Sequence, residues 1–175
     1  KTMTLSELGW NDSFARSLAE SSALGQTPAR VTREDRGLYL VLTEQGEFSA
    51  EISGKMRYQA QSKADFPAVG DWVAIEPRPG EQKATIHGVL PRKSAFTRED
   101  AGARTQQQVV AANIDIVLLV SGLDGDFNVR RIERYLAVAW DSGANPAIVL
   151  NKADLCSELE ERLAEVETVA LGVPI

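Results

Sequence analysis

The chain has 175 residues, 43% of them hydrophobic and 25% charged, with a net charge of −6. That length allows one large domain or two small ones, and the composition is that of a globular chain. No apolar run approaches the roughly 18 residues of a membrane span, the first twenty residues hold no signal-peptide core, and the single cysteine, Cys156, excludes an intrachain disulfide.

One histidine, His87, and one cysteine cannot build a zinc site by themselves. The acidity argues against a nucleic-acid partner, but it is uneven: residues 1–100 carry a balance of −1 and residues 101–175 a balance of −5. Between 55 and 98 there are eight basic and four acidic residues. This window is either a basic face for nucleic acid or an ordinary solvated face. The first residue is Lys1 rather than Met, which we read as a trimmed start or a tag remnant.

In chain order, Leu5, Leu8, Phe14, Leu18 and Leu24 predict a helical lead over 5–24, stopped at Gly25, with Trp10 and Phe14 as packing residues. Residues 28–90 then read as five short strands: 29–32, 38–43, 48–53, 72–75 and 84–90. Turns at Asp35-Arg36-Gly37, Glu44-Gln45-Gly46 and Pro77–Gly80 punctuate them. Five strands of this length predict a small barrel of the OB type. Tyr39, Phe48, Tyr58, Phe66 and Trp72 are the aromatic residues that could stack on bases. Phe48 and Trp72 are expected to fill the barrel instead. Tyr58, between Arg57 and Lys63 in a polar stretch, is open to either role. His87 falls in a strand pattern and reads as structural.

Residues 91–112 read as a connector, with Pro91-Arg92-Lys93-Ser94 closing the barrel and a polar stretch after it. A second apolar strand follows at 114–120, ended by Ser121-Gly122. Asn128 is placed to cap a helix to about Asp141 whose stripe is Val129, Ile132, Leu136 and Ala139. Arg130, Arg131 and Arg134 lie off that stripe. Gly143 ends the helix, a strand follows at 147–150, and Ser157-Glu158-Leu159-Glu160 reads as the capping box of a last helix bearing Leu159, Leu163 and Val166. Cys156 is expected to be a small packing residue.

The strand at 147–150 delivers Asn151-Lys152-Ala153-Asp154 at its carboxyl end, where open α/β sheets bind ligands. Asn-Lys-x-Asp there can read a guanine base. An Asp carboxylate accepts two hydrogen bonds, from the ring N1–H and the exocyclic amine. Adenine offers an acceptor at N1 and no neighbouring amine, so a site of this kind rejects it by about 10⁴-fold or more. The Lys stem can lie along the base, and the Asn amide can tie the loop together. The competing reading is a plain surface turn, since Asn and Asp are common there.

No Gly-x-x-x-x-Gly-Lys-[Ser/Thr] phosphate loop occurs, and Gly54-Lys55 comes closest to one. No Asp-x-x-Gly occurs either. In the usual GTPase order both precede Asn-Lys-x-Asp, whereas here a barrel does. The expectation is a permuted order and a polypeptide ending inside its second domain, with no catalytic residue and no metal ligand in the sequence at hand.

These residues resemble the RsgA/YjeQ family of circularly permuted GTPases that depend on the small ribosomal subunit. The specific stretches are Val69-Gly70-Asp71-Trp72-Val73, Arg92-Lys93-Ser94, Gln108 to Asp115, Asp126-Phe127-Asn128 with Arg134-Tyr135-Leu136, and Leu150–Leu155. The resemblance implies an OB-fold β barrel followed by a partial α/β P-loop-type GTPase domain in circularly permuted order. The divisions expected are a helical lead over 1–26, the barrel over 27–97, a linker over 98–112 and the guanine-recognition half over 113–175. It implies a ribosome-associated GTPase of late small-subunit (30S) maturation, cytoplasmic and monomeric at full length. GTP or GDP with Mg²⁺ would be bound through Asn151, Lys152, Ala153 and Asp154. A further C-terminal domain would hold Zn²⁺. Ribosomal RNA would meet the barrel at Arg36, Arg57, Lys63 and Lys93. The alternative is a non-enzymatic OB-fold RNA-binding module.

Overall fold

The computed structural model describes residues 3–21, 25–99 and 107–175. Two units divide the chain, residues 1–113 and 114–175.

In the first unit, strands β1 (Thr27–Asp35), β2 (Leu38–Thr43), β3 (Gly46–Ile52), β4 (Trp72–Pro77) and β5 (Lys83–Val89) close into a barrel in the order β1-β2-β3-β5-β4. All pairs are antiparallel except β3 with β5. The first hairpin turns on Arg36 and Gly37, both at positive φ (52° and 83°). That is the twist-matched two-residue turn of a hairpin, and it is why a glycine is needed there. A register shift between Val31 and Arg33 marks a bulge in β1, which lets one strand pair with both β2 and β4. Inward residues Val31, Val41, Phe48, Val73, Ile75 and Ile86 form the barrel core, with Tyr39 buried beside them.

Trp72 is also 0% exposed, but it packs outside that core. Its neighbours are Leu8, Phe14 and Leu90, with Trp10 edge-on at 4.7 Å between ring centroids. The N-terminal segment therefore lies on the barrel as a second apolar layer. The expected helix over 5–24 is shorter, because Gly9 at φ 89° interrupts it. Helix α1 spans Asp12–Glu20, capped by the Asn11 carboxamide, which accepts from the backbone N–H of Ser13 and Phe14. Leu24 lies outside the described residues.

Between β3 and β4 runs the short helix α2 (Gly54–Gln59), capped by Ser53, and then a 3₁₀ turn at Lys63–Asp65. The stretch expected as a connector holds two strands. Strand β6 (Ala95–Glu99) pairs antiparallel with β7 (Gln107–Ala112). This ribbon is locked to the barrel at one place. The carboxylate of Asp71, 0% exposed, accepts from Arg92 Nε at 2.9 Å, Arg92 Nη2 at 2.8 Å and the Ala68 N–H at 2.8 Å. Arg92 also donates to the carbonyls of Ala64 and Phe66. Asn113, at φ 55°, donates from its amide to the Gly70 carbonyl and accepts from the Lys93 N–H. Gly70 sits so close to β7 that a Cβ would fall 2.0 Å from the Ala112 carbonyl oxygen. Thus Val69-Gly70-Asp71, Arg92-Lys93 and Asn113, far apart in sequence, meet in one buried polar cluster.

In the second unit, β8 (Ile116–Gly122) and β9 (Asn145–Asn151) are parallel neighbours joined by helix α3 (Val129–Asp141). Asn128 caps α3 by accepting from the Arg131 N–H, and Ile132, Leu136 and Ala139 are its buried stripe. The last helix, α4 (Leu159–Val169), starts one residue later than the expected capping box requires. Glu158 holds the cap position without a side-chain bond, and Ser157 does not cap it. Val166 and Ala170 pack with Ile132, Leu136 and Ile148, so both helices cover the same face of the sheet. Beyond α4 the chain returns to β9, where the Ile148 N–H donates to the Pro174 carbonyl at 2.8 Å.

Candidate functional site

Strands β8 and β9 end together, with Gly122 opposite Asn151 in the register. The loops that follow them are therefore neighbours, at the carboxyl edge of a parallel sheet. Asn151 ends β9. Its backbone carbonyl accepts from the Leu123 N–H at 2.9 Å, which ties the two loops together. Its side-chain oxygen accepts from the Lys152 N–H at 2.9 Å. Lys152 adopts the left-handed conformation, φ 62° and ψ 33°. A residue with a Cβ held there costs of order 1–3 kcal/mol and persists only where its surroundings enforce it. Here the Asn151 amide and the Leu123 contact supply that enforcement. Ala153–Leu155 then form one 3₁₀ turn.

This geometry fixes where the two charged side chains go. The Lys152 ammonium pairs with the Asp124 carboxylate on the β8 loop. Asp124 also accepts from the Asp126 N–H at 3.2 Å. Its pKa is held below the ordinary Asp value, first by the hydrogen bond from Lys152 and then by that amide. Lys152 is raised for the reciprocal reason. Gly122 leaves room for the fold-back, since a Cβ there would lie 3.1 Å from Asp124 Oδ1. Asp126 in turn is gripped by Arg131 through both guanidinium Nη atoms, which lowers its pKa and raises that of Arg131. Asp154, by contrast, is exposed, and no hydrogen bond or ion pair engages its carboxylate among the described residues. A free carboxylate on a backbone held by its neighbours is what bidentate acceptance from a base edge requires.

Sequence reasoning named Asn151, Lys152, Ala153 and Asp154, and the structure places them on one loop. It missed Asp124. The signal available was the Ser121-Gly122-Leu123-Asp124 run ending the neighbouring strand, which a parallel pairing brings beside Asn151.

A family model described as RsgA GTPase matches residues 89–175. The small ribosomal subunit biogenesis GTPase RsgA of Opitutus terrae is 44% identical over 182 residues, 99% of this chain and 49% of that protein. The chain belongs to the RsgA family. The protein of the same name from Syntrophotalea carbinolica is 42% identical, again over 99% of this chain and 49% of the relative. The chain thus spans about half the length of these RsgA relatives. Among solved structures, YjeQ from Thermotoga maritima superposes with a TM-score of 0.66 at 26% identity, covering 86% of this chain and 50% of that one. YloQ, described as a circularly permuted GTPase, shares the fold with a TM-score of 0.63 at 16% identity, covering 89% of this chain and 52% of that one. The RsgA fold class expected from the sequence, a closed five-stranded barrel before part of a permuted GTPase domain, is the one observed.

The four basic residues expected at an RNA face lie on separate elements. Arg36 is at the tip of the first hairpin, Arg57 on α2 and Lys63 in the 3₁₀ turn after it. Lys93 follows β5, with its ammonium 5.1 Å from the centroid of the Phe14 ring. Tyr39 and Phe48 are buried, so neither offers a stacking face. Burial also pushes the Tyr39 hydroxyl above its usual pKa, with Glu34 adding to the shift and Arg57 opposing it. His87 shares a hydrogen bond with Glu76 across the barrel wall at 3.0 Å, and Cys156 is half-buried.

Among the described residues no three His, Cys, Asp or Glu come together to hold a metal ion. A protein-held Zn²⁺ site needs such a cluster, so these residues do not fit one. No helix among them is long and apolar enough to cross a membrane.

Proposed function

We propose that this chain is the barrel and guanine-recognition half of a ribosome-associated GTPase, cytoplasmic and monomeric at full length, acting in late maturation of the small (30S) ribosomal subunit. The observation that carries the nucleotide reading is Asp154. It is an unengaged carboxylate on a loop whose backbone is fixed by Asn151, in a chain 44% identical to a small ribosomal subunit biogenesis GTPase. Asp154 accepts from guanine N1–H and the exocyclic amine. The Lys152 stem lies along the base while its ammonium stays paired to Asp124. Asn151 holds the loop, and Ala153 keeps the turn free of a bulky side chain. The phosphate loop and its Mg²⁺ belong to the half of the relatives' length outside these residues, as does the Zn²⁺ domain, so hydrolysis is assigned to the full-length protein. The barrel is the ribosomal RNA contact, with Arg36, Arg57, Lys63 and Lys93 on phosphates.

The test is Asp154→Asn in the full-length protein. An Asn amide offers one acceptor and one donor, which mismatches guanine and matches xanthine, where a carbonyl replaces the amine. Losing one partner of a charge-assisted pair costs roughly 1.5–3 kcal/mol, about 10- to 150-fold in affinity. Titration of labelled GDP and XDP should show GDP weakened by that factor and XDP gained. Unchanged GDP affinity with no gain for XDP removes Asp154 as the base reader.

A further inference from the structure

Helix α2 carries an arrangement that packing does not explain. Met56 is its anchor, half-buried against the barrel core. At 100° per residue, Tyr58 lies about 200° around the helix from Met56, on the side facing directly away from the barrel. It is accordingly 91% exposed, the highest value among the exposed large hydrophobic side chains. No ring or cation contact engages it among the described residues. Lys55 stands one turn before Tyr58 on nearly the same face, and Arg57 flanks it on the other side. Both are exposed, and neither forms a salt bridge among the described residues. The helix itself is fixed. Ser53 accepts from the Met56 N–H at 3.1 Å, and its own N–H donates to the Ile86 carbonyl of β5 at 2.8 Å.

We propose that Tyr58 is a stacking platform for one unpaired base of single-stranded RNA, with Lys55 and Arg57 holding the phosphates on either side. The proposal rests on the RNA-binding part of the function given above and adds the mode of recognition. An unengaged ring on a fixed backbone loses little conformational freedom when a base stacks on it. Two exposed cations on either side of the ring can meet the phosphates of a strand passing over it. A base inside a duplex is already stacked on both faces, so the platform selects unpaired bases over the interior of a duplex.

The experiment uses the whole 175-residue chain and two labelled probes, a ten-nucleotide oligouridine and a blunt RNA duplex, read by fluorescence anisotropy. Base–aromatic stacking of about 1–3 kcal/mol predicts that Tyr58→Ala weakens oligouridine binding by about 5- to 150-fold. Tyr58→Phe, which keeps the ring, should retain wild-type affinity, and duplex binding should be the same in all three proteins. Lys55→Ala with Arg57→Ala should flatten the dependence of log K on log salt by about 1.4, two contacts at roughly 0.7 each. If the wild-type chain binds oligouridine in a salt-dependent way and Tyr58→Ala binds equally well, the platform is wrong while the RNA reading stands. If Tyr58→Phe loses as much as Tyr58→Ala, stacking is wrong and the hydroxyl is the contact. If the wild-type chain binds neither probe at low salt, the RNA reading and the platform both fall.

Discussion

Val41 in β2 and Val120 in β8 both sit in apolar strand runs, yet Val41 is 0% exposed and Val120 is 63%. The difference is closure. Each barrel strand has a hydrogen-bonded neighbour on both sides, and the inward faces of all five meet at one core. Strand β8 pairs with β9 alone among the described residues, and α3 and α4 cover one face of the pair. Ile116, Leu118 and Val120 therefore line an open face, at 62%, 60% and 63% exposure. The run Ile116-Val117-Leu118-Leu119-Val120 is apolar on both faces, which is the composition of a parallel strand covered on both sides. The same residue types thus stabilise the first unit and leave apolar surface uncovered in the second. A strand's contribution is decided by its neighbours more than by its own propensity.

The largest test of this contrast lies in the polar cluster that joins ribbon to barrel. Asp71→Ala leaves Arg92 without its buried carboxylate, and breaking such a pair costs about 3–5 kcal/mol. Urea unfolding of Trp140→Phe protein, in which Trp10 and Trp72 report on the first unit, should show that loss. A loss under about 1 kcal/mol would mean that closure of the strands alone carries the barrel.

Next in size is a matched pair of truncations. Ile86→Ala empties a fully buried site and should cost about 2–5 kcal/mol in the first unit. Leu118→Ala, on the open face, should shift the unfolding of the second unit, followed by Trp140, within about 0.5 kcal/mol. Comparable costs at the two sites would show that the β8 face is covered in solution.

The smallest effect is local to the Lys152–Asp124 pair. The folded pKa of Asp124 is depressed, so its contribution is present above the unfolded value near 3.9 and is lost as pH falls through the folded value. Lys152→Met should move the Asp124 titration midpoint, read by carboxyl-carbon NMR, up toward 3.9. An unmoved midpoint would show that the two side chains are apart in solution.

Much of the fold was legible because it is written locally. Arg36-Gly37 set the first hairpin, Asn128 capped α3, and the period of Ile132, Leu136 and Ala139 named its buried face. The Asn-Lys-Ala-Asp loop was legible for the same reason, since it is four consecutive residues after an apolar strand. The helical lead was read too long because Gly9 takes a left-handed turn that the apolar spacing does not reveal. The ribbon of β6 and β7 was read as a connector because Ala95–Glu99 and Gln107–Ala112 lack strand alternation. Its pairing is driven by a partner strand rather than by its own pattern.

By itself the sequence determined the short-range choices: where dihedrals can turn left-handed, which helix face is apolar, and which loop carries an acceptor for a base edge. The tertiary structure alone decided that Trp72 faces Trp10 and Phe14 rather than the barrel interior. It also decided that Asp71 finds Arg92 and that Lys152 finds Asp124. The physical reason is common to all three. Each contact joins groups twenty or more residues apart, and becomes favourable only after strand pairing has already met the chain-entropy cost of bringing them together.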